Sequence, residues 1–182
     1  MFTRIIIISA LLLSVAETCS SKDWKGIVPL KSTRAEVERV LGPSADPVLS
    51  IYYLRKEIVS VEYSKYSCNQ GPVVSGWPVP PSPQWNVPPD TVIAIRVAPR
   101  EEVRLSNLSI NLESFKKVRG DEDMPTHFFY IDEEEGFGIE IFANLDGEGE
   151  TVRSYIYQPG IKDKPLQCSS PKVSSKRSFS RH

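Results

Sequence analysis

The sequence predicts an α+β fold. A short N-terminal helix packs on a mostly antiparallel sheet of about six strands, with a long proline-rich loop. Three observations carry this reading. One segment has a helix start and stop signal, six segments alternate apolar and polar residues with period two, and the turns between the last strands are too short for parallel crossovers.

The helix opens at Thr33, with Glu36 three positions on, the spacing of a capping box in which each side chain satisfies the other's free backbone N–H. Ala35, Val37, Val40 and Leu41 supply its apolar face, and Gly42-Pro43 stops it. Val48 to Leu54 and Glu57 to Tyr63 alternate next, joined at Arg55-Lys56 as a hairpin. Leu49, Ile51 and Tyr53 share one face of the first strand, and Val59, Val61 and Tyr63 one face of the second. Thr91 to Ala98 is a third strand, with Ile93, Ile95 and Val97 toward the core. Asn111 to Val118 reads as a short helix with a poor pattern. Thr126 to Ile131, Phe137 to Ala143 and Thr151 to Tyr157 complete the six strands.

Between the second and third strands, residues 72–89 hold seven prolines in eighteen positions, together with Trp77 and Trp85. Proline lacks a backbone N–H and locks φ, so this stretch is an extended, partly polyproline II loop. Pro78 and Pro81 have P-x-x-P spacing, a ligand pattern for aromatic grooves, but a loop held down by its two tryptophans is the expected role.

The chain ends point to export. Arg4 precedes an apolar run from Ile5 to Leu13, and Ser14 and Ala16 occupy the small-residue positions read by signal peptidase. Residues 1–16 are therefore expected to be a signal peptide, 17–166 a single domain, and 167–182 a basic, Ser-rich, disordered tail. The apolar run falls short of the about 20 residues that span a membrane. Cys19 is poorly placed for lipidation, because Ala16-Glu17-Thr18 does not match a lipoprotein signal. The mature chain is expected to be periplasmic or extracellular and soluble. There, Cys68 and Cys168 most simply form one disulfide, placing their Cα atoms about 4.4 to 6.8 Å apart.

Trp24-Lys25-Gly26-Ile27-Val28-Pro29-Leu30, Ser32-Thr33, Glu36-Val37 and Val40-Leu41-Gly42-Pro43 together resemble the opening of the SmpA/OmlA and BamE-like domains of bacterial envelope lipoproteins. The resemblance covers residues 24–47. It implies the fold of β-lactamase inhibitor proteins, a helical pair against an antiparallel sheet, and an interaction module of the cell envelope with no catalytic residues.

The net charge of −1 makes no overall case for a nucleic-acid partner. Setting aside Arg4 and the tail cations Lys172, Lys176, Arg177 and Arg181 leaves 17 basic side chains against 23 acidic ones. Asp121 to Glu150 holds eleven carboxylates and no Lys or Arg, so these groups must face water or meet cations from elsewhere. The sources are Arg96, Arg100, Arg104, Lys116, Lys117, the tail, or calcium. Asn144, Asp146, Glu148 and Gly149 fit the first half of a calcium loop, but its closing Glu is replaced by Tyr155, so a hairpin turn is the better reading.

No cofactor or metal site is expected. The chain lacks G-x-S-x-G, H-E-x-x-H and P-loop motifs, and its cysteines lack zinc spacing, with His127 and His182 the only histidines. A Cys68–His127 nucleophile pair would lose its thiol to the disulfide. The favoured function is a non-enzymatic exported domain that binds a protein partner, with Phe128, Tyr130, Tyr155 and Tyr157 as candidate anchors. The same four rings would equally serve to pack the core. The alternative is an enzyme that uses carboxylates such as the run Asp132 to Glu135 on an extracellular substrate, for example a carbohydrate.

Overall fold

In the computed structural model, which describes residues 22–65, 67–68, 85–120, 124–143 and 149–168, Thr33 and Glu36 close the capping box. Helix α1 runs Arg34–Leu41 and ends at Gly42, whose φ is 82°. It meets the sheet along Val37 and Leu41, which are four residues apart and so share one face, while Ala35 and Val40 stay exposed. It is the only α-helix among the described residues, so they form no helical pair.

The sheet has seven strands, one more than expected: β1 Ile51–Tyr53, β2 Glu57–Tyr63, β3 Val92–Pro99, β4 Lys116–Arg119, β5 His127–Asp132, β6 Phe137–Ala143 and β7 Glu150–Tyr157. Their order across the sheet is β1-β2-β3-β7-β6-β5-β4, and every neighbouring pair is antiparallel. Two meanders therefore meet where β3 pairs with β7. The connection from β3 to β4 must run to the far edge of the sheet, and this explains the additional strand. Asn111 to Val118 reads as a helix in the sequence, but Lys116–Arg119 pairs with β5, which satisfies the backbone groups a poorly patterned helix would leave fraying. Asn111 opens a turn instead, accepting the Glu113 N–H at 3.0 Å.

The faces of two strands also differ from the sequence reading. Tyr52, not Tyr53, is buried in β1, because the register sets it opposite the buried Val59. Alternation cannot be carried back to Leu49, since Ser50 turns in the left-handed region at φ 52° just before the strand. In β3, an irregularity beside Glu62 and Tyr63 sends Val92 to the main core and Ile93 elsewhere. Ile93 packs with Leu30, Trp85 and Val87, so Trp85 is tied down as expected, while Trp77 and residues 72–84 of the proline-rich loop lie outside the described residues.

One face of the sheet carries two apolar clusters. Trp24, Ile27 and α1 cover β1 to β3, while Leu105, Leu108, Ile110, Leu112 and Phe115 of the crossing connection cover β5 to β7. At the far end, the β5–β6 turn leans on the chain after β7: Gln158 N–H donates to Gly136 O at 2.8 Å, and Ile161 N–H donates to Glu133 O at 2.8 Å. Gly136 has φ 64°, and a Cβ there would run into the Gln158 carbonyl oxygen. Gly136→Ala is therefore expected to cost about 2 to 4 kcal/mol, combining left-handed strain with a backbone clash, as measured by urea unfolding. An unchanged midpoint would show that the two turns are not packed this way.

Past that turn, a 3-10 segment at Ile161–Leu166 brings the chain back to Trp85, where Asn86 N–H donates to Leu166 O at 2.7 Å. Cys68 and Cys168 lie at disulfide distance, with Cα atoms 5.3 Å apart, inside the expected range. No described helix is long and apolar enough to cross a membrane. Residues 1–16, expected to be a signal peptide, Cys19 and residues 169–182 lie outside the described residues.

Candidate functional site

The face of the sheet opposite α1 carries a charged cluster centred on Glu140, a residue that sequence reasoning missed. Glu140 is 7% exposed in the middle of β6, and three strands supply its partners. Arg96 Nη1 of β3 donates to Oε2 at 2.9 Å, Ser154 Oγ of β7 donates to the same oxygen at 2.5 Å, and His127 Nε2 of β5 lies 3.0 Å from Oε1. A carboxylate only accepts, so Nε2 carries the proton and donates. The imidazole stacks on Phe142, with centroids 4.8 Å apart, and tilts against Phe129 at the same distance. Its Nδ1 is buried with no hydrogen-bond partner among the described residues, and Gly120 packs so closely there that any Cβ would strike the ring.

The order of this cluster decides what it can do. A nucleophilic serine needs the imidazole next to its hydroxyl, with the carboxylate behind. Here the carboxylate sits in the centre and accepts from both, so Ser154, 1% exposed, donates to Glu140 while the imidazole lies on the carboxylate's other oxygen. The arrangement joins four strands through one side chain. The signal for it was legible: Glu140 interrupts the apolar run of β6 on the face opposite Ile139 and Ile141.

Phe128, Tyr130, Tyr155 and Tyr157 all lie on the covered face, half-buried against the cluster of Phe137, Ile139, Ile141 and Val152. Tyr155 and Tyr157 also touch the cluster around Val97 and so bridge the two halves of the core. Tyr130 Oη donates to Glu150 at 3.1 Å, and Lys117 Nζ donates to the other oxygen of that carboxylate at 2.7 Å while lying 4.6 Å from the centre of the Phe128 ring. That bond to Glu150 raises the Lys117 ammonium above its ordinary value.

Burial pushes the Tyr157 phenol up to about 12. An unfolded phenol ionises near about 10, so the folded state holds the proton more tightly and gains stability that is fully present below that pH. Stability is expected to decline as pH rises between the two values. Phenolate absorbance should show Tyr157 titrating late and in step with unfolding; ionisation with the free tyrosines would count against its burial.

The acidic segment meets cations from outside itself, as its charge density demands. Lys116 pairs with Glu133 at 3.2 Å, Lys117 with Glu150, Arg96 with Glu140, and Lys162, which sequence reasoning did not name, with Glu135 at 2.8 Å. Asn144, Asp146 and Glu148 of the calcium-like loop lie outside the described residues, while Tyr155 stands within β7. Among the described residues, no three metal-ligating side chains come together.

Two shallow cavities accompany these features. One, of 240 Å³, lies beside Trp85, Glu133, Lys164 and Gln167, and the other, of 330 Å³, beside Arg104, Ser106, Tyr130 and Glu150. Each presents a single carboxylate. The exposed apolar side chains gather elsewhere. Of the seven large ones among the described residues, Val40, Val48, Leu49, Tyr53 and Ile58 belong to α1, the turn before β1 and the β1–β2 hairpin. Val48 is 90% exposed, on a turn that Asp46 fixes by accepting the N–H groups of Val48 and Leu49 at 2.9 and 3.0 Å.

No family model, curated protein or solved structure matches the chain.

Proposed function

We propose that this chain is an exported, non-enzymatic domain that binds a protein partner in the cell envelope or outside the cell. The observation that carries the reading is the apolar corner at the β1 end of the sheet. A turn normally carries polar residues, whereas here it presents Val48 and Leu49 on a backbone held by Asp46, and the hairpin that follows exposes the paired Tyr53 and Ile58. Rigid apolar side chains lose little conformational entropy on docking, which suits them as anchors. The signal-like N-terminus and the Cys68–Cys168 pair support an oxidising compartment. The resemblance of residues 24–47 to SmpA/OmlA and BamE-like domains points to the same setting. The alternative, a carboxylate-dependent hydrolase, needs two carboxylates facing one cavity.

The test is photo-cross-linking from position 49 or 53 of the full chain in the native envelope fraction, with position 153, exposed in β7 and separated from β1 by two strands, as control. One defined adduct from the corner and none from the control is expected. Leu49→Glu should abolish recovery of that partner while moving the melting midpoint by no more than about 2 °C, as befits an exposed site. Identical adducts from all three positions, or none, would remove the basis for the proposal.

A further inference from the structure

The two edges of the sheet are built in opposite ways. In β1 the backbone groups of Ile51 and Tyr53 face outward, and both of those of Ile51 are taken: its N–H donates to Asp46 O at 3.3 Å, and its C=O accepts from Ala45 N–H at 2.9 Å. The segment before β1 thus covers one of the two outward positions of this short strand and leaves little free edge for a further partner. The β4 edge lacks such a cover among the described residues. Gly120 N–H donates to His127 O at 2.9 Å, which fixes the phase of the ladder: Val118 and Lys116 turn their backbone groups toward β5, and Lys117 and Arg119 turn theirs outward. No described residue bonds to those outward N–H and C=O groups.

We propose that the β4 edge takes up an extended, acidic segment of a partner protein as an eighth strand. The charges select the occupant. Lys116, Lys117 and Arg119 make the edge cationic, and Arg119 has no ion pair among the described residues. Lys116 and Lys117 hold Glu133 and Glu150 through exposed pairs, which exchange readily for another carboxylate. A second copy of the chain is disfavoured, since two β4 edges would set Lys and Arg against Lys and Arg. The register also sets the pattern of the guest strand. Lys117 and Arg119 point to one face and Val118 to the other, so carboxylates two residues apart with an apolar residue between them match the edge.

This surface lies at the opposite end of the sheet from the apolar corner, so its test is independent of the function proposed above. The probes are two capped peptides of about seven residues, enough to span β4, one alternating Glu and Val and the other Lys and Val. Binding to the full chain is measured by calorimetry, and amide exchange reports its location. The acidic peptide is expected to bind at least about tenfold tighter than the basic one and to protect the Lys117 and Arg119 amides. Arg119→Pro removes an outward donor together with the guanidinium and no donor that faces β5, so it should abolish binding with the fold intact. Arg119→Glu, which keeps the donor, should reverse part of the charge preference. Absence of binding at about 1 mM peptide, protection mapping away from β4, or equal affinity of both peptides overturns the proposal.

Discussion

Glu140→Ala is expected to destabilise the protein by about 3 to 5 kcal/mol, the cost of breaking a buried, hydrogen-bonded charge cluster by removing its centre. Three donors lose their acceptor together: Arg96, Ser154 and His127. Of these, Ser154 and His127 are enclosed and cannot turn to water, whereas Arg96 has 40% of its side chain exposed and can. Arg96→Ala should therefore cost much less, about 1 kcal/mol, although it leaves the same carboxylate behind. Glu140→Gln keeps an acceptor oxygen but brings an amide that must face one of the donors, so an intermediate loss of about 2 kcal/mol is expected. Urea unfolding of the three variants, with a double-mutant cycle between His127 and Glu140, checks the ordering. If Glu140→Ala lies within about 1 kcal/mol of wild type, water reaches the cluster and its role in joining four strands fails.

Cys168→Ser is expected to have an effect of similar size by a different route. With the two cysteines 100 residues apart, a cross-link removes from the unfolded chain about 4 to 5 kcal/mol of loop entropy in the chain-entropy model. For a chain of this size that corresponds to a fall of about 10 °C or more in melting midpoint. The folded structure need not change, since Asn86 and Leu166 still pair nearby, and Trp85 still packs on Leu30 and Ile93. The loss should therefore appear in stability and not in the native-state spectrum. Reductant should lower the wild-type midpoint to that of Cys168→Ser and leave the variant unmoved. Free thiols at both Cys68 and Cys168 in oxidised wild-type protein, located by alkylation and peptide mapping, would defeat the prediction.

Local interactions were the most legible part of the sequence. The Thr33–Glu36 box closes within four residues, the Arg55-Lys56 turn joins the strands expected of it, with Leu54 N–H donating to Glu57 O at 2.9 Å, and β6 has the bounds its alternation predicts. The approach of Cys68 and Cys168 followed from counting cysteines on the expectation of export. Less legible were features that depend on which strands become neighbours. Lys116–Arg119 has no strong preference of its own, and it becomes a strand because β5 offers an unpaired edge where the crossing connection arrives. Tyr52 and Tyr53 are adjacent aromatics, and only pairing with Val59 decides which one is buried.

The sequence alone determined the α+β class, the position of the helix and the need for outside cations around the acidic segment, because these depend on spacing, periodicity and charge count along the chain. The tertiary structure decided the rest: the place of β7 between β3 and β6, the meeting of Arg96, His127, Glu140 and Ser154, the packing of Phe128, Tyr130, Tyr155 and Tyr157 under the crossing connection, and the contrast between a β1 edge covered at Ile51 and a β4 edge uncovered among the described residues. Each of these joins residues distant in sequence. Such contacts are specified by the register between strands, and a shift of one residue would turn every side chain on a strand to the other face.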